Sequence, residues 1–174
     1  MQRLAEGLVA GALPAVTFLV ISSMHVGDAG ASALAAALDR GALPRLENLI
    51  LADVAIGDAA LAALAPALRR RPALESLFLN GNPLGDEGLA ALVAPPPPAG
   101  TPPPPAGGLK TLERLDLRHT QITDAGCATL AAALDSGALP ALEELYDLAS
   151  IPASAAAKQA VREAMARSRG AARA

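Results

Sequence analysis

The 174-residue chain predicts an α/β solenoid: an arc of about five strand–loop–helix units, with a short parallel β-sheet on the concave face and helices on the convex face. Three observations predict it. One apolar phrase recurs: Leu74-Glu-Ser-Leu77-Phe-Leu79-Asn-Gly-Asn82-Pro-Leu84-Gly-Asp86 is matched by Leu112-Glu-Arg-Leu115-Asp-Leu117-Arg-His-Thr120-Gln-Ile122-Thr-Asp124. The first apolar anchor of each unit falls at Val16, Leu46, Leu74, Leu112 and Leu142, in steps of 30, 28, 38 and 30 residues. The long step holds a proline-rich insertion, residues 95–105, without which the period is close to 28. Finally, 52% of the residues are hydrophobic but only 2% aromatic, with no Trp. A core of Leu, Ala, Val and Ile suits identical stacked layers, in which no unit buries its apolar face alone.

The whole chain reads as one domain, residues 1–174. Residues 1–12 read as a partial helical half-repeat, because Gly11-Ala-Leu-Pro14 matches Gly41-Ala-Leu-Pro44 and Gly137-Ala-Leu-Pro140. The chain then begins inside a unit without a polar N-terminal cap. It is expected to be a piece of a longer array or to have that end covered by another subunit. The run Leu8 to Ile21 follows Arg3 as a signal peptide's apolar region would. It is too short for a membrane span, is interrupted by Pro14, and superposes on the repeat, so no targeting segment is inferred.

The full units are 13–42, 43–72, 73–108, 109–138 and 139–169. Counting from each anchor, Leu or Ile recurs at plus three (Leu19, Leu49, Leu77, Leu115) and plus five (Ile21, Leu51, Leu79, Leu117). That alternation is a short strand with one face inward. Val26, Ile56, Leu84 and Ile122 at plus ten turn the loop back under the strand. Asp28, Asp58, Asp86 and Asp124 at plus twelve each precede an Ala/Leu-rich run, where an N-cap belongs. Four carboxylates binding a cation are the more elaborate alternative. The Ala/Leu runs are strong helix formers, with Leu34, Leu64, Leu92 and Leu130 facing the strands. Gly41 and Gly137 end helices, and Pro44 and Pro140 prevent their continuation. Pro66 predicts a kink or early stop in the second helix. Ala153 to Arg167 reads as a final amphipathic helix and C-terminal cap, with residues 170–174 as a disordered tail.

This unit resembles the leucine-rich repeat family, L-x-x-L-x-L-x-x-N-x-L. Its long period and helical return resemble the ribonuclease-inhibitor-like subclass, over residues 13–165. The family's Asn at plus eight, which bonds backbone groups along the loop, is present only as Asn82. Met24, Val54 and Thr120 take its place elsewhere, so those loops need other partners. The fifth unit breaks register: Leu145 fits, Asp147 falls where an apolar residue is due, and Leu148 follows, as in a bulged or deformed last strand.

No catalytic constellation, phosphate loop or ligand-spaced His pair is present, so no enzyme activity, metal or cofactor is expected. His25 and His119 fall in non-adjacent units. The single Cys127 aligns with Ala31, Leu61 and Leu89, as an inert core thiol. In a solenoid of this kind the residues at plus two, four and six point outward from the strands. They supply the candidate protein-binding face: Phe18, Val20, Asn48, Ile50, Phe78, Asn80, Arg114, Asp116, Arg118, Glu144 and Tyr146. Both Phe and the only Tyr lie on it, and exposed aromatics anchor interfaces. The insertion Pro95 to Pro105 favours extended polyproline II, either a ligand for a proline-binding domain or a low-complexity expansion.

Net charge is −3, which gives no global field for nucleic acid. Residues 151–174 hold Lys158, Arg162, Arg167, Arg169 and Arg173 against Glu163, a net +4, read as a solvated helix and tail rather than a membrane contact. The function expected is a noncatalytic protein-protein interaction module or scaffold, cytoplasmic, with a protein partner and neither nucleic acid nor membrane. One alternative is a GTPase-activating or signalling regulator, which rests on the resemblance alone. Another is a structural subunit docking through its uncapped N-terminal end in a larger assembly. Ribonuclease inhibition is disfavoured, since that family member is Cys-rich.

Overall fold

A computed structural model describes residues 14–93 and 109–172. The half-repeat assigned to residues 1–12 and the insertion 95–105 lie outside the described residues. Five strands, β1 (Phe18–Ser22), β2 (Asn48–Ala52), β3 (Ser76–Phe78), β4 (Arg114–Asp116) and β5 (Glu144–Leu145), form one parallel sheet in sequence order. The register places Phe18, Asn48, Ser76, Arg114 and Glu144 in one row, which is the plus-two row of the repeat. Helices α1 (Gly27–Asp39), α2 (Asp58–Arg69), α3 (Asp86–Val93) and α4 (Asp124–Asp135) follow the first four strands, and α5 (Ala155–Ala172) follows β5. Packed helices need about 8–10 Å between axes whereas paired strands need about 4.8 Å, so the sheet takes the inner side of the arc.

The core is a stack of leucine layers. Leu49, Leu77 and Leu115 are fully buried, as are Leu51, Leu79 and Leu117 beside them. Leu34, Leu64, Leu92 and Leu130 close each layer from the helix side, and Ile56, Leu84 and Ile122 close it from the loop. Burying one such side chain contributes about 1.5–3 kcal/mol, and the layers contribute in parallel.

The aspartates at plus twelve do not cap their own helices, which corrects the sequence expectation. Asp58, Asp86 and Asp124 are the first helical residues of α2, α3 and α4, one position too late for an N-cap. Each carboxylate instead accepts from the start of the next unit's helix. Asp28 Oδ1 accepts from the Gly57 N–H at 2.8 Å. Asp58 Oδ1 accepts from Gly85 at 2.6 Å and Gly88 at 3.0 Å. Asp86 Oδ1 accepts from Thr123 at 2.8 Å and Gly126 at 3.0 Å. Asp124 Oδ1 accepts from Ser154. A negative charge thus meets the positive end of each of the helices α2 to α5. The second bond needs glycine two residues into the receiving helix: a Cβ on Gly88 would lie 2.6 Å from Asp58 Oδ1 and 3.1 Å from its Cα. Where Ala60 takes that position, the bond from Asp28 reaches Gly57 alone.

Helix C-termini are satisfied in two ways. After α1 and α4, Gly41 and Gly137 take left-handed φ of 90° and 72°. The N–H of Gly41 donates to Leu38 and that of Ala42 to Ala37, a Schellman pair repeated at Gly137 and Ala138. No glycine follows α2, and arginines span its neighbours instead. Arg71 donates to the Leu38 carbonyl of α1, Arg69 to the Ala91 and Leu92 carbonyls of α3, and Arg70 pairs with Asp39 at 2.6 Å. The early stop expected at Pro66 does not occur, and α2 continues to Arg69. Pro66 and Ala62, the residue whose helical bond it removes, are both exposed, so water can serve the freed carbonyl.

The loops lacking the repeat Asn find other partners, across units for the second and within the unit for the fourth. Asn82 is 1% exposed and donates to the Leu51 and Leu79 carbonyls at 2.6 and 2.9 Å. Its Oδ1 accepts from Val54 and Ile56 at 3.1 and 3.3 Å, so one side chain serves two loops. Thr120 Oγ1 substitutes in the fourth unit by donating to Leu117 at 2.7 Å. In the fifth unit the strand is cut to two residues. Leu148 takes the buried place from Asp147, which accepts from Ala149 at the head of a 3₁₀ turn, Leu148–Ser150.

Helix α5 runs past Arg167 to Ala172, so residues 170–172 are helical rather than a tail. Val161, Ala164 and Met165 are its buried face. Three of its cations reach neighbouring groups: Arg167 pairs with Asp135 at 2.9 Å, Arg162 with Asp147 at 3.6 Å, and Lys158 donates to the Ala149 and Ile151 carbonyls. Among the described residues no helix is long and apolar enough to cross a membrane.

Asp58→Ala is expected to cost about 1–2 kcal/mol in denaturant unfolding, and Gly88→Ala a similar amount despite alanine's better helix propensity. The double variant should cost clearly less than the sum, and full additivity would contradict the assigned contact. In acid, α5 is expected to loosen first. Hydrogen bonds from Ser154 hold the Asp124 carboxyl below its usual range, and the Arg167 hydrogen bond does so for Asp135. Depressed values stabilise above the ordinary carboxyl pKa of about 3.9 and lose that contribution as pH falls through the folded value. Hydrogen exchange should show α5 amides losing protection below about pH 4 before those of α2; simultaneous loss would refute the assignment.

Candidate protein-binding face

Side chains at plus two, four and six rise from the sheet on the side away from the helices. The plus-four row reads Val20, Ile50, Phe78, Asp116 and Tyr146 across β1 to the end of β5. Phe18 is 55% exposed and Val20 49%, although both belong to the apolar class that otherwise fills the core. Met24, 56% exposed, lies in the loop just beyond β1. Ile50 and Phe78 are half-exposed and continue this apolar ground inward along the arc.

The row changes character at β4. Phe78 and Tyr146 belong to strands separated by β4, a gap of about 9.6 Å between backbones. Their ring centroids nonetheless stand 5.4 Å apart, tilted by 53°. Asp116 holds the register position between them and is 0% exposed. Its carboxylate is gripped by Arg118, with Nε to Oδ1 at 3.0 Å, Nη2 to Oδ2 at 2.7 Å, and the Arg118 N–H to Oδ1 at 3.0 Å. The Arg118 guanidinium also lies 5.1 Å from the Tyr146 ring centroid, within cation–π range. The hydrogen bond and charge of Asp116 push the Arg118 pKa above its ordinary value, so the guanidinium keeps its charge.

Asp116 was expected among the displayed residues, and this is corrected: it is the buried support under an aromatic–arginine cluster. The displayed atoms are those of Phe78, Tyr146 and Arg118. The other expected residues stand on the face: Asn48, Asn80 and Arg114 half-exposed, Glu144 exposed. Arg114 and Glu144 are register neighbours, yet neither joins an ion pair among the described residues. Arg114 Nε and the Oγ of fully buried Ser76 beside it have no hydrogen-bond partner there.

His25 and His119 are both exposed, and among the described residues no group of side chains could hold a metal ion. Cys127 is buried in α4, where desolvation first, then Asp124 and Asp86, raises its thiol pKa against nucleophilic use. One feature escaped the reading of plus-two, four and six positions: plus one is glutamate in four successive units, Glu47, Glu75, Glu113 and Glu143. The repeat alignment already contained that signal, and a scan of every column for charge would have found it.

Arg118→Ala is expected to lower the melting temperature, because it strands a buried carboxylate. Adding Asp116→Asn should restore part of the loss, since the amide needs no counter-charge. Thermal unfolding of the intact chain and the two variants checks the order, and a double variant less stable than Arg118→Ala would contradict it.

A family model described as "Leucine Rich repeat" matches residues 72–93 and 108–131, in the third and fourth units. No curated protein matches the chain. Among solved structures, the chain is similar to one titled leiomodin-1 actin-binding site 2, with TM-score 0.70 and 19% identity, covering 98% of this chain and 90% of that one. It is similar also to the tropomodulin C-terminal domain of Caenorhabditis elegans, with TM-score 0.70 and 18% identity, covering 99% and 95%. The shared property at such identities is the fold: the chain folds as a leucine-rich repeat arc of five parallel strands alternating with helices.

Proposed function

We propose that this chain is a noncatalytic protein-binding module whose contact surface is the concave strand face. The observation that carries the reading is the exposure of Phe18 and Val20, 55% and 49%, on rigid strand positions beside Ile50 and Phe78. Apolar side chains fixed by a sheet lose little freedom on docking, so their burial converts efficiently into affinity. The cluster of Phe78, Tyr146 and Arg118 adds the residue types that dominate interface hot spots. Asn48, Asn80, Arg114 and Glu144 form the polar surroundings that set orientation. Asp116 acts through Arg118 rather than by contact.

The similar structure titled as an actin-binding site makes actin the first partner to test. The GTPase-regulator alternative has no motif in its support, and docking through the N-terminal end concerns residues outside the described ones.

The test is quantitative cosedimentation with actin filaments, and affinity capture with partner identification by mass spectrometry. Each compares the intact chain with a Phe18→Ser/Val20→Ser variant and a Phe78→Ser/Tyr146→Ser variant of verified fold. A specific partner is expected whose binding falls at least about tenfold in one or both variants. A partner retained equally by all three forms would place recognition elsewhere.

A further inference from the structure

The residue immediately before each of β2 to β5 is a glutamate: Glu47, Glu75, Glu113 and Glu143. Their backbones are successive rungs of one ladder. The N–H of Glu75 donates to the Glu47 carbonyl at 2.8 Å, that of Glu113 to Glu75 at 2.8 Å, and that of Glu143 to Glu113 at 2.9 Å. Four carboxylates therefore leave the chain at intervals of about 4.8 Å, along the lip where the strands begin. Exposed Glu144 adds a fifth.

Like charges opposite one another on adjacent strands repel, and among the described residues no ion pair offsets this row. Among the described residues the ion pairs are Arg70–Asp39, Arg118–Asp116, Arg162–Asp147 and Arg167–Asp135. Arg45 and Lys110, in the turns leading to β2 and β4, pair with none of the glutamates. Such a row is unfavourable for the arc alone. Its first rung, the Glu47 N–H, donates to the Thr17 carbonyl next to Phe18, and among the described strand residues Phe18 and Val20 are the large apolar side chains left exposed.

We infer that the concave face takes a basic amphipathic segment of a protein partner. Its apolar ridge lies over Phe18, Val20, Ile50 and Phe78, and its Lys or Arg side chains run along the glutamate lip. This rests on the concave-face reading above and adds the partner's charge. A neutral segment would leave the lip carboxylates partly desolvated without counter-charge, and an acidic one would meet five of them. Segments of the right sign gain in encounter rate as well as in specificity.

The experiment is fluorescence anisotropy with two synthetic probes, a helical Leu/Lys amphipathic peptide and its Leu/Glu counterpart. The intact chain is compared with Phe18→Ser/Val20→Ser and with a quadruple variant, Glu47→Gln, Glu75→Gln, Glu113→Gln and Glu143→Gln. The intact chain should prefer the Leu/Lys peptide by at least about tenfold at low salt, and the preference should shrink as salt rises. The quadruple variant should lose that preference and melt no lower than its parent, because repulsion has been removed. The apolar variant should bind both peptides more weakly. Equal binding of the two peptides, unchanged selectivity in the quadruple variant, or no binding of either peptide overturns the inference. If selectivity fails while the apolar variant still weakens both peptides, the concave-face reading stands and only the charge assignment falls. Should the quadruple variant not fold, Glu75→Gln and Glu113→Gln tested singly give the same ranking at smaller size.

Discussion

A helix cannot satisfy its own first N–H groups, and in this chain the neighbouring unit does so. The carboxylates of Asp28, Asp58, Asp86 and Asp124 each reach forward to the following helix, and the rest of the architecture depends on that reach. It ties each pair of successive units together at the helix starts, on the side of the arc opposite the strand ladder. It also explains the small residues at helix starts, because the carboxylate occupies the space a side chain would need. At the opposite helix ends Arg69 and Arg71 do the corresponding work on both neighbours of α2. Adjacent units are thus coupled by polar contacts at both ends of the helix layer and by leucines in between. Stability resides in the interfaces as much as in the units.

The fold was legible because its causes are periodic. The apolar positions at plus three, five, ten and eighteen landed in the core, and the register of the sheet followed the alignment of anchors. What local reasoning assigned wrongly were effects that cross units. An Asp before an Ala/Leu run looks like a cap for that run, and only the stacking shows that it serves the next one. Pro66 looks like a breaker, but its lost bond falls on the exposed side of α2. Glu143-Glu144-Leu145-Tyr146-Asp147-Leu148 announced the deformed last strand, because the apolar residue was visibly one place late.

The candidate face was only partly legible. Alternation along the strands places Phe18, Val20 and Phe78 on the outer side, and their exposure agrees with that placement. Alternation carries no information on lateral contacts, so Asp116 looked as available as Arg118. Two aromatic rings meeting across an intervening strand hide it, and its bidentate partner completes the cover. A short acidic side chain between large neighbours is shielded, while a long basic one two residues on emerges past them. Side-chain length, rather than parity along the strand, decides which of the two reaches the surface.

The contact between Asp86 and Thr123 spans 37 residues, whereas the matching contacts of the earlier units span 29 and 27. The ten extra residues fall in the sequence between α3 and β4, and the aspartate contacts on both sides of them keep the same pattern. Closing a loop lengthened from 28 to 38 residues costs only about 0.3 kcal/mol in chain entropy. The arc therefore has a splice point between its third and fourth layers. A foreign epitope, a protease site or a fluorescent label grafted there would ride on the solenoid without changing how its layers are spaced.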